Sequence, residues 1–442
     1  MNALADIIQL TAKRNEHELP LEAHEKGVPG AVGRLPLSEV GTRQWRLFAE
    51  DLPLPVAVLK ISALHHNSQW MKSFANSHNA RLAPHGKTSL CPALFDLQLH
   101  DGAWGLTVAT PHQLQVARRF GYSRLLLANQ LVGKSAIEWV IDELEHHPDF
   151  DFYCLVDSAE NLEQLARAAR RQRLSRPLQV LVELGFKGGR TGCRTVEEAL
   201  ALARLVAQNH DVAALRGVEG YEGIISGSDE EGTISQVDAF LNSVVDCAQR
   251  CAQAHLFAAG EVLLSAGGSA FFDRVSAKLG KVDLKQPTIV LLRGGCYLIH
   301  DHAMFARAFE QMNSRSPIAA SMMPGLRPAL EVWAYVQSLP EPGRAIAMLG
   351  KRDVSYDEVP TPIKWYRPGS GMVAANPLDG NYRVSHLNDQ HCYVNVPADC
   401  PCRVGDMVGF GISHPCLTFD KWRVLHLVDD DYRVVESVRT YF

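Results

Sequence analysis

A lysine, four glycine-bearing loops and a late pair of nitrogen and sulfur donors are the residues whose types and spacing point to chemistry. Pro84-His85-Gly86-Lys87-Thr88 places a lysine directly after an apolar run. A lysine amine among apolar or cationic neighbours loses its proton near neutral pH and attacks carbonyl groups to form a Schiff base. Ser265-Ala266-Gly267-Gly268-Ser269 offers backbone N–H groups flanked by hydroxyls, a plausible anion cradle. Arg293-Gly294-Gly295-Cys296-Tyr297 repeats the glycine pair beside a cation. Glu183 to Gly192 carries Arg190, which can face an anion or a heteroaromatic nitrogen, and Gly220-Tyr221-Glu222-Gly223 presents Tyr221. Taken singly, each also suits an ordinary loop.

The donor pair is His414-Pro415-Cys416. Imidazole and thiolate are preferred zinc ligands, and on a strand residues two apart face one side. Two protein ligands leave positions open for water or substrate. His391, Cys392, Cys400 and Cys402 lie close by in sequence, so a closed four-ligand structural site is the rival, and buried thiols with a surface histidine the plainer alternative. The other cysteines, Cys91, Cys154, Cys193, Cys247, Cys251 and Cys296, read as small buried apolar residues of a reduced compartment.

The elements that must hold these groups alternate from about residue 80 to 295. Apolar runs at 81–85, 105–109, 124–128, 152–156, 178–184, 217–221, 261–265 and 288–293 are separated by stretches with helical spacing. Ser158 and Thr195 stand as helix caps. Eight such units favour a closed (β/α)8 barrel over an open doubly wound sheet, and the loops after the strands form its functional mouth. After about residue 316 proline and glycine become frequent. Runs at 344–349, 407–412 and 433–439 read as an antiparallel β domain that the run 56–61 can join.

Composition narrows the partners. The 442 residues hold 44 Lys and Arg against 49 Asp and Glu, a formal charge of −5, which gives no reason to expect nucleic acid or an anionic membrane. The stretch Met1 to Lys13 lacks the pattern of a secretory signal, so a cytoplasmic setting is expected.

In this order the motifs resemble the fold-type III pyridoxal-phosphate enzymes of the D-serine dehydratase and D-threonine aldolase family. Pro-His-Gly-Lys-Thr at 84–88, Arg190-Thr191-Gly192, Ser265 to Ser269 and Ser413-His414-Pro415-Cys416-Leu417-Thr418 are the residues that carry the likeness. The resemblance implies an alanine-racemase-like barrel over 62–316, a β domain at 317–442 with the metal site, and a contribution to that domain from 1–61. It makes Lys87 the catalytic, cofactor-bearing lysine. Arg190, Tyr221, Gly267, Gly268, Ser269 and Tyr297 become cofactor contacts, and His414 and Cys416 metal ligands. Cysteine at the second ligand position favours zinc, with manganese as the alternative. A homodimer acting on a small D-amino acid is expected. The reaction implied is dehydration of a D-3-hydroxy amino acid to a 2-keto acid and ammonia. The runner-up is aldol cleavage to glycine and an aldehyde, and the alternative from another class is a non-catalytic pyridoxal-phosphate carrier. Two departures stand out: Asp389-Gln390-His391-Cys392 where the family carries Glu-His-Gly, and 353–370, which reads as an insertion.

Overall fold

Pro84 has no N–H to give a sheet and Gly86–Thr88 turns tightly, so the first barrel strand is cut to Arg81–Leu82. The computed structural model describes residues 20–442; the stretch read above for a secretory signal lies outside them. Seven further strands follow in register: Leu106–Val108, Arg124–Gln130, Asp151–Val156, Leu178–Leu184, Ala213–Gly220, Val262–Ala266 and Thr288–Leu292. Neighbours in this order pair in parallel, and the last pairs with the first. The ring is closed between the first two strands by a His85–Thr107 bridge and by bonds from Trp104 N to Leu82 O (2.7 Å) and Thr107 N to Pro84 O (2.9 Å). The sheet is therefore a (β/α)8 barrel and not an open doubly wound sheet.

Ala83, Leu126, Leu155, Leu181, Leu263 and Leu291 fill its interior, while the larger core lies between strands and helices. Ser158 accepts from Asn161 N (3.2 Å) and Thr195 from Glu198 N (3.1 Å), each cap stabilising its helix by about 1 kcal/mol.

The second body is a largely antiparallel sheet. Val56–Lys60, whose first four residues are buried, lies inside it. It pairs antiparallel with Leu330–Glu341 and, in a parallel pairing that the sequence reading lacked, with Val424–Val428. The stretch 353–370, read above as an insertion, is built into the sheet. It contains the strand Thr361–Tyr366, which pairs with Met407–Gly411. Trp333, Leu21, Leu35 and Val58 belong to a separate core that ties residues from 20 onward to this sheet. Bonds from Ala329 N to Ile299 O, His302 N to Ile412 O and Tyr441 N to Leu90 O dock the sheet on the barrel. No helix among the described residues is long and apolar enough to cross a membrane.

The β domain also carries an acid-labile residue. His426 is buried, with Nδ1 2.7 Å from Ser437 Oγ and Nε2 2.9 Å from Gly27 O. Burial lowers its imidazole to about 4. The unfolded chain takes up a proton below about pH 6.5 and the folded one does not, so stability falls as the pH drops from about 6.5 to about 4. The expected loss is about 3 kcal/mol. His302, lowered to about 4 by burial as well, contributes separately. His426→Gln is expected to remove part of the pH dependence of urea unfolding between pH 7 and 4; an unchanged dependence would refute this account.

Candidate active site

The β domain covers the C-terminal mouth of the barrel, and a cavity of about 300 Å³ lies between them. Lys87 lines it, half-buried on the turn after the first strand. That turn is held by its backbone, with Thr88 N on His85 O (3.2 Å) and Leu90 N on Gly86 O (2.8 Å). His85 Nδ1 is a buried nitrogen without a partner at the cavity wall. Burial, then the charges of Lys87, Arg293 and Arg190, hold its imidazole well below the usual range, hence neutral.

The loops after the seventh and eighth strands form the opposite wall. Gly267 has φ +142°, a backbone state that L side chains rarely adopt. A Cβ on Gly295 would stand 2.3 Å from Thr88 Oγ1 and 2.6 Å from His85 O, so only glycine lets this loop approach the lysine turn. Gly268 N donates to Glu222 Oε1 (3.0 Å), whereas the amides of Gly267, Ser269, Gly294 and Gly295 meet no protein acceptor among the described residues. Unpaired amides on glycine loops beside a lysine and an unpartnered imidazole nitrogen fit the phosphate and ring of pyridoxal phosphate.

Below the cavity Arg293 is buried, its Nε on Ser265 Oγ (2.8 Å) and its Nη2 paired with Glu219. Burial pushes the Glu219 carboxyl up, to about 8, against the pull of Arg293. Tyr221 lines the cavity, and the exposed guanidinium of Arg190 lies 4.1 Å over its ring. Arg190 thus reaches the cavity through Tyr221. Tyr297 is not brought to the cavity: the turn Cys296–Leu298 buries it, and its hydroxyl accepts from Gln98 Nε2 (3.2 Å).

His414 and Cys416 both line the cavity. They do not sit on a strand, because Pro415 is helical and opens the short helix Cys416–Phe419. The segment 353–358 holds them: His414 N donates to Ser355 Oγ (3.0 Å), Ser355 Oγ meets Ser413 Oγ (2.8 Å), and His414 Nδ1 meets Asp357 Oδ2 (2.7 Å). Cys416 Sγ lies 3.5 Å from Thr88 Oγ1 and 3.8 Å from Cys296 Sγ. Bonding from Cys296, then from His414, pulls the Cys416 thiol well below its usual range; Cys416, then Asp357, holds His414 up at about 9.

The rest of the late His and Cys group disperses. His391 is exposed, Cys392 is buried in its strand, and Cys400 and Cys402 are bonded to each other. No three His, Cys, Asp or Glu side chains among the described residues converge as a preformed metal cage. Cys296, read from sequence as a buried apolar thiol, instead faces the cavity; its place directly after Gly294-Gly295 was the available signal. Asp357 and Ser355 gave none, being brought to His414 only by the fold.

A lysine at the mouth of a (β/α)8 barrel, facing glycine loops with unpaired amides, defines a pyridoxal-phosphate enzyme of the barrel type. Residues 59–277 match the family described as alanine racemase, N-terminal domain, and residues 329–428 match the putative serine dehydratase domain. The chain is 25% identical over 335 residues to D-threonine aldolase of Arthrobacter sp., covering 75% of this chain and 80% of that one. D-threonine aldolase from Filomicrobium marinum shares the fold with a TM-score of 0.71 at 21% identity, covering 88% of this chain and 95% of that one. D-threo-3-hydroxyaspartate dehydratase from Delftia sp. HT23 does so at 0.69 and 19%, covering 90% and 99%. The chain belongs to the fold-type III pyridoxal-phosphate family, among lyases that take in D-serine dehydratase-like proteins and D-threonine aldolases.

Proposed function

We propose that the protein is a metal-dependent dehydratase that converts a D-3-hydroxy amino acid of the D-serine kind to a 2-keto acid and ammonia. The observation that carries this reading is the placement of Cys416, paired with His414 and 3.5 Å from Thr88, against the turn of Lys87. The amides of Gly267, Ser269, Gly294 and Gly295 would hold the cofactor phosphate, with Gly268, whose N–H goes to Glu222, shaping the loop; Arg190 and Tyr221 would hold its ring side, and Lys87 its aldehyde carbon. His414 and Cys416 would hold a divalent ion, zinc before manganese, and their nitrogen and sulfur donors suit it. When bound, the cofactor supplies an electron sink for charge at Cα and the ion supplies Lewis-acid stabilisation of the 3-hydroxyl. Lys87 Nζ takes the Cα proton. Asp357 keeps His414 in one tautomer and orientation. A homodimer in a cytoplasmic setting completes the reading, and Met304, an exposed apolar side chain that lines the cavity, supports a covered surface there.

Aldol cleavage is the second reading, favoured by the match to the Arthrobacter aldolase. D-Threonine separates the two in one assay. 2-Ketobutyrate with ammonia is the expected product pair; glycine with acetaldehyde would replace the dehydratase reading by the aldolase. A coloured, folded protein that makes neither from D-threonine or D-serine would turn the reading towards a non-catalytic carrier. Asp357→Ala is expected to weaken zinc binding about 10–100-fold, as loss of a partner to a ligating histidine does. Competition with a chelator measures it, and an unchanged affinity would remove Asp357 from the site.

A further inference from the structure

We propose that Glu222 is a positioning residue of the phosphate loop, a clamp that holds the Gly268 N–H aside and takes up a proton when the cofactor phosphate binds. The inference rests on the phosphate placement proposed above and adds a residue that does not itself line the cavity. Glu222 is fully buried just past the sixth strand, and its backbone O accepts from Ile225 N (2.9 Å). Its Oε1 accepts from Gly268 N at 3.0 Å, and its Oε2 is buried without a partner. Tyr221 lies against the same loop: a Cβ on Gly268 would stand 3.2 Å from Tyr221 Cε2 and 3.4 Å from its hydroxyl oxygen. With Gly268 N turned to the carboxyl, the amides of Gly267 and Ser269 on either side are left for an anion.

Any acceptor would hold that amide; a carboxyl adds a charge. Neighbouring residues lie about 3.8 Å apart along the backbone, so an anion on the Gly267 and Ser269 amides lies a few ångströms from Glu222. Two buried anions that close repel, and the less costly state is a phosphate dianion beside a neutral acid. The proton comes from solvent and sits on Oε2, leaving Oε1 to accept from Gly268 N. Burial, then the Asp273 carboxylate, favours the neutral carboxyl against the N–H groups of Gly268 and Glu222 and the Arg293 guanidinium. Arg293 is already paired with Glu219, and Asp273 with Arg315 (2.9 Å), so neither cation is free to neutralise Glu222. Glu219 and Tyr221, both raised chiefly by burial, feel the same carboxyl.

Pyridoxine 5′-phosphate, which has no aldehyde to react with Lys87, isolates phosphate binding to the full chain freed of its cofactor. Titration calorimetry between pH 7 and 9, in buffers of different ionisation enthalpy, counts the protons taken up. The phosphate is already a dianion there, so uptake belongs to the protein. Net uptake is expected, with affinity falling as the pH rises, because the free carboxyl ionises while the bound one keeps its proton. Glu219, at about 8, and His414, at about 9, titrate in the same range, so the assignment falls to Glu222→Gln, which keeps the acceptor and removes the proton. That variant is expected to take up fewer protons, and its affinity to gain about tenfold on the parent's between pH 7 and 9. Glu222→Ala, which leaves Gly268 N unpaired, is expected to bind about tenfold more weakly than the parent at pH 7. Circular dichroism reports whether it folds, and the proton count on the unaltered protein needs no variant. Equal uptake and parallel pH profiles in the parent and Glu222→Gln would overturn the proton link, and parent-like affinity in folded Glu222→Ala would overturn the clamp. Tight binding by the parent keeps the phosphate placement in both cases, whereas no binding by the parent would overturn placement and clamp together.

Discussion

Lys87→Ala is expected to abolish turnover and the visible cofactor band while leaving the fold intact. Loss of the base alone removes about 10²–10⁴-fold in rate, and loss of the covalent anchor adds to it. The fold should survive because the turn is held by backbone bonds from Thr88 N and Leu90 N, not by the lysine side chain. The measurement is the absorbance spectrum before and after borohydride, with peptide mapping of the reduced adduct to Lys87. Turnover retained in the variant, or an adduct on another lysine, would end the account of the site given above.

Arg293→Met is expected to have the largest effect on stability. The guanidinium is the partner of a carboxyl buried beneath the cavity, and Ser265 and Gly220 bind it as well. Removing one member of such a pair costs about 3–5 kcal/mol where the other stays charged. Burial already holds Glu219 at about 8 with Arg293 present, and without it the carboxyl must rise further. Below that value the carboxyl is neutral in both proteins and only packing and hydrogen bonds are lost. As the pH rises through 8 the parent gains its ion pair, whereas the variant must keep a proton that the unfolded chain, near 4.5, has long released. The deficit in urea unfolding should therefore be larger at pH 9 than at pH 7, and Glu219→Gln in the same chain should recover part of it. Equal deficits at both pH values would show that packing, not charge, governs the site.

The barrel was legible because its strands are short apolar runs and its helices carry three- and four-residue spacing with caps such as Thr195. Lys87 and the glycine loops were legible because they follow those strands directly, and strand ends fix which mouth a loop joins. Where proximity in sequence does not give proximity in space, the rival four-ligand site and the place of Tyr297 were not legible. Cys392, Cys400 and Cys402 crowd His414 along the chain but not in the fold. Tyr297 adjoins a glycine pair at the cavity, yet one tight turn sends its ring to Gln98. The helical turn at Pro415 was hidden by a strand-like alternation, and the hold of Asp357 on His414 crosses 57 residues, beyond any local pattern.

The strand Val56–Lys60 lies between Leu330–Glu341 and Val424–Val428, with the whole barrel encoded between it and its partners. During synthesis this strand leaves the ribosome long before either neighbour exists, while the barrel can close behind it as a unit. Its apolar residues must wait, shielded by the barrel or by chaperones, until the final stretch arrives. That stretch also delivers His414 and Cys416 to a cavity whose Lys87 wall is already built. The protein therefore completes its largest sheet and its cavity in the same late event, so that a nascent chain with a finished barrel has Lys87 but not His414 and Cys416 opposite it.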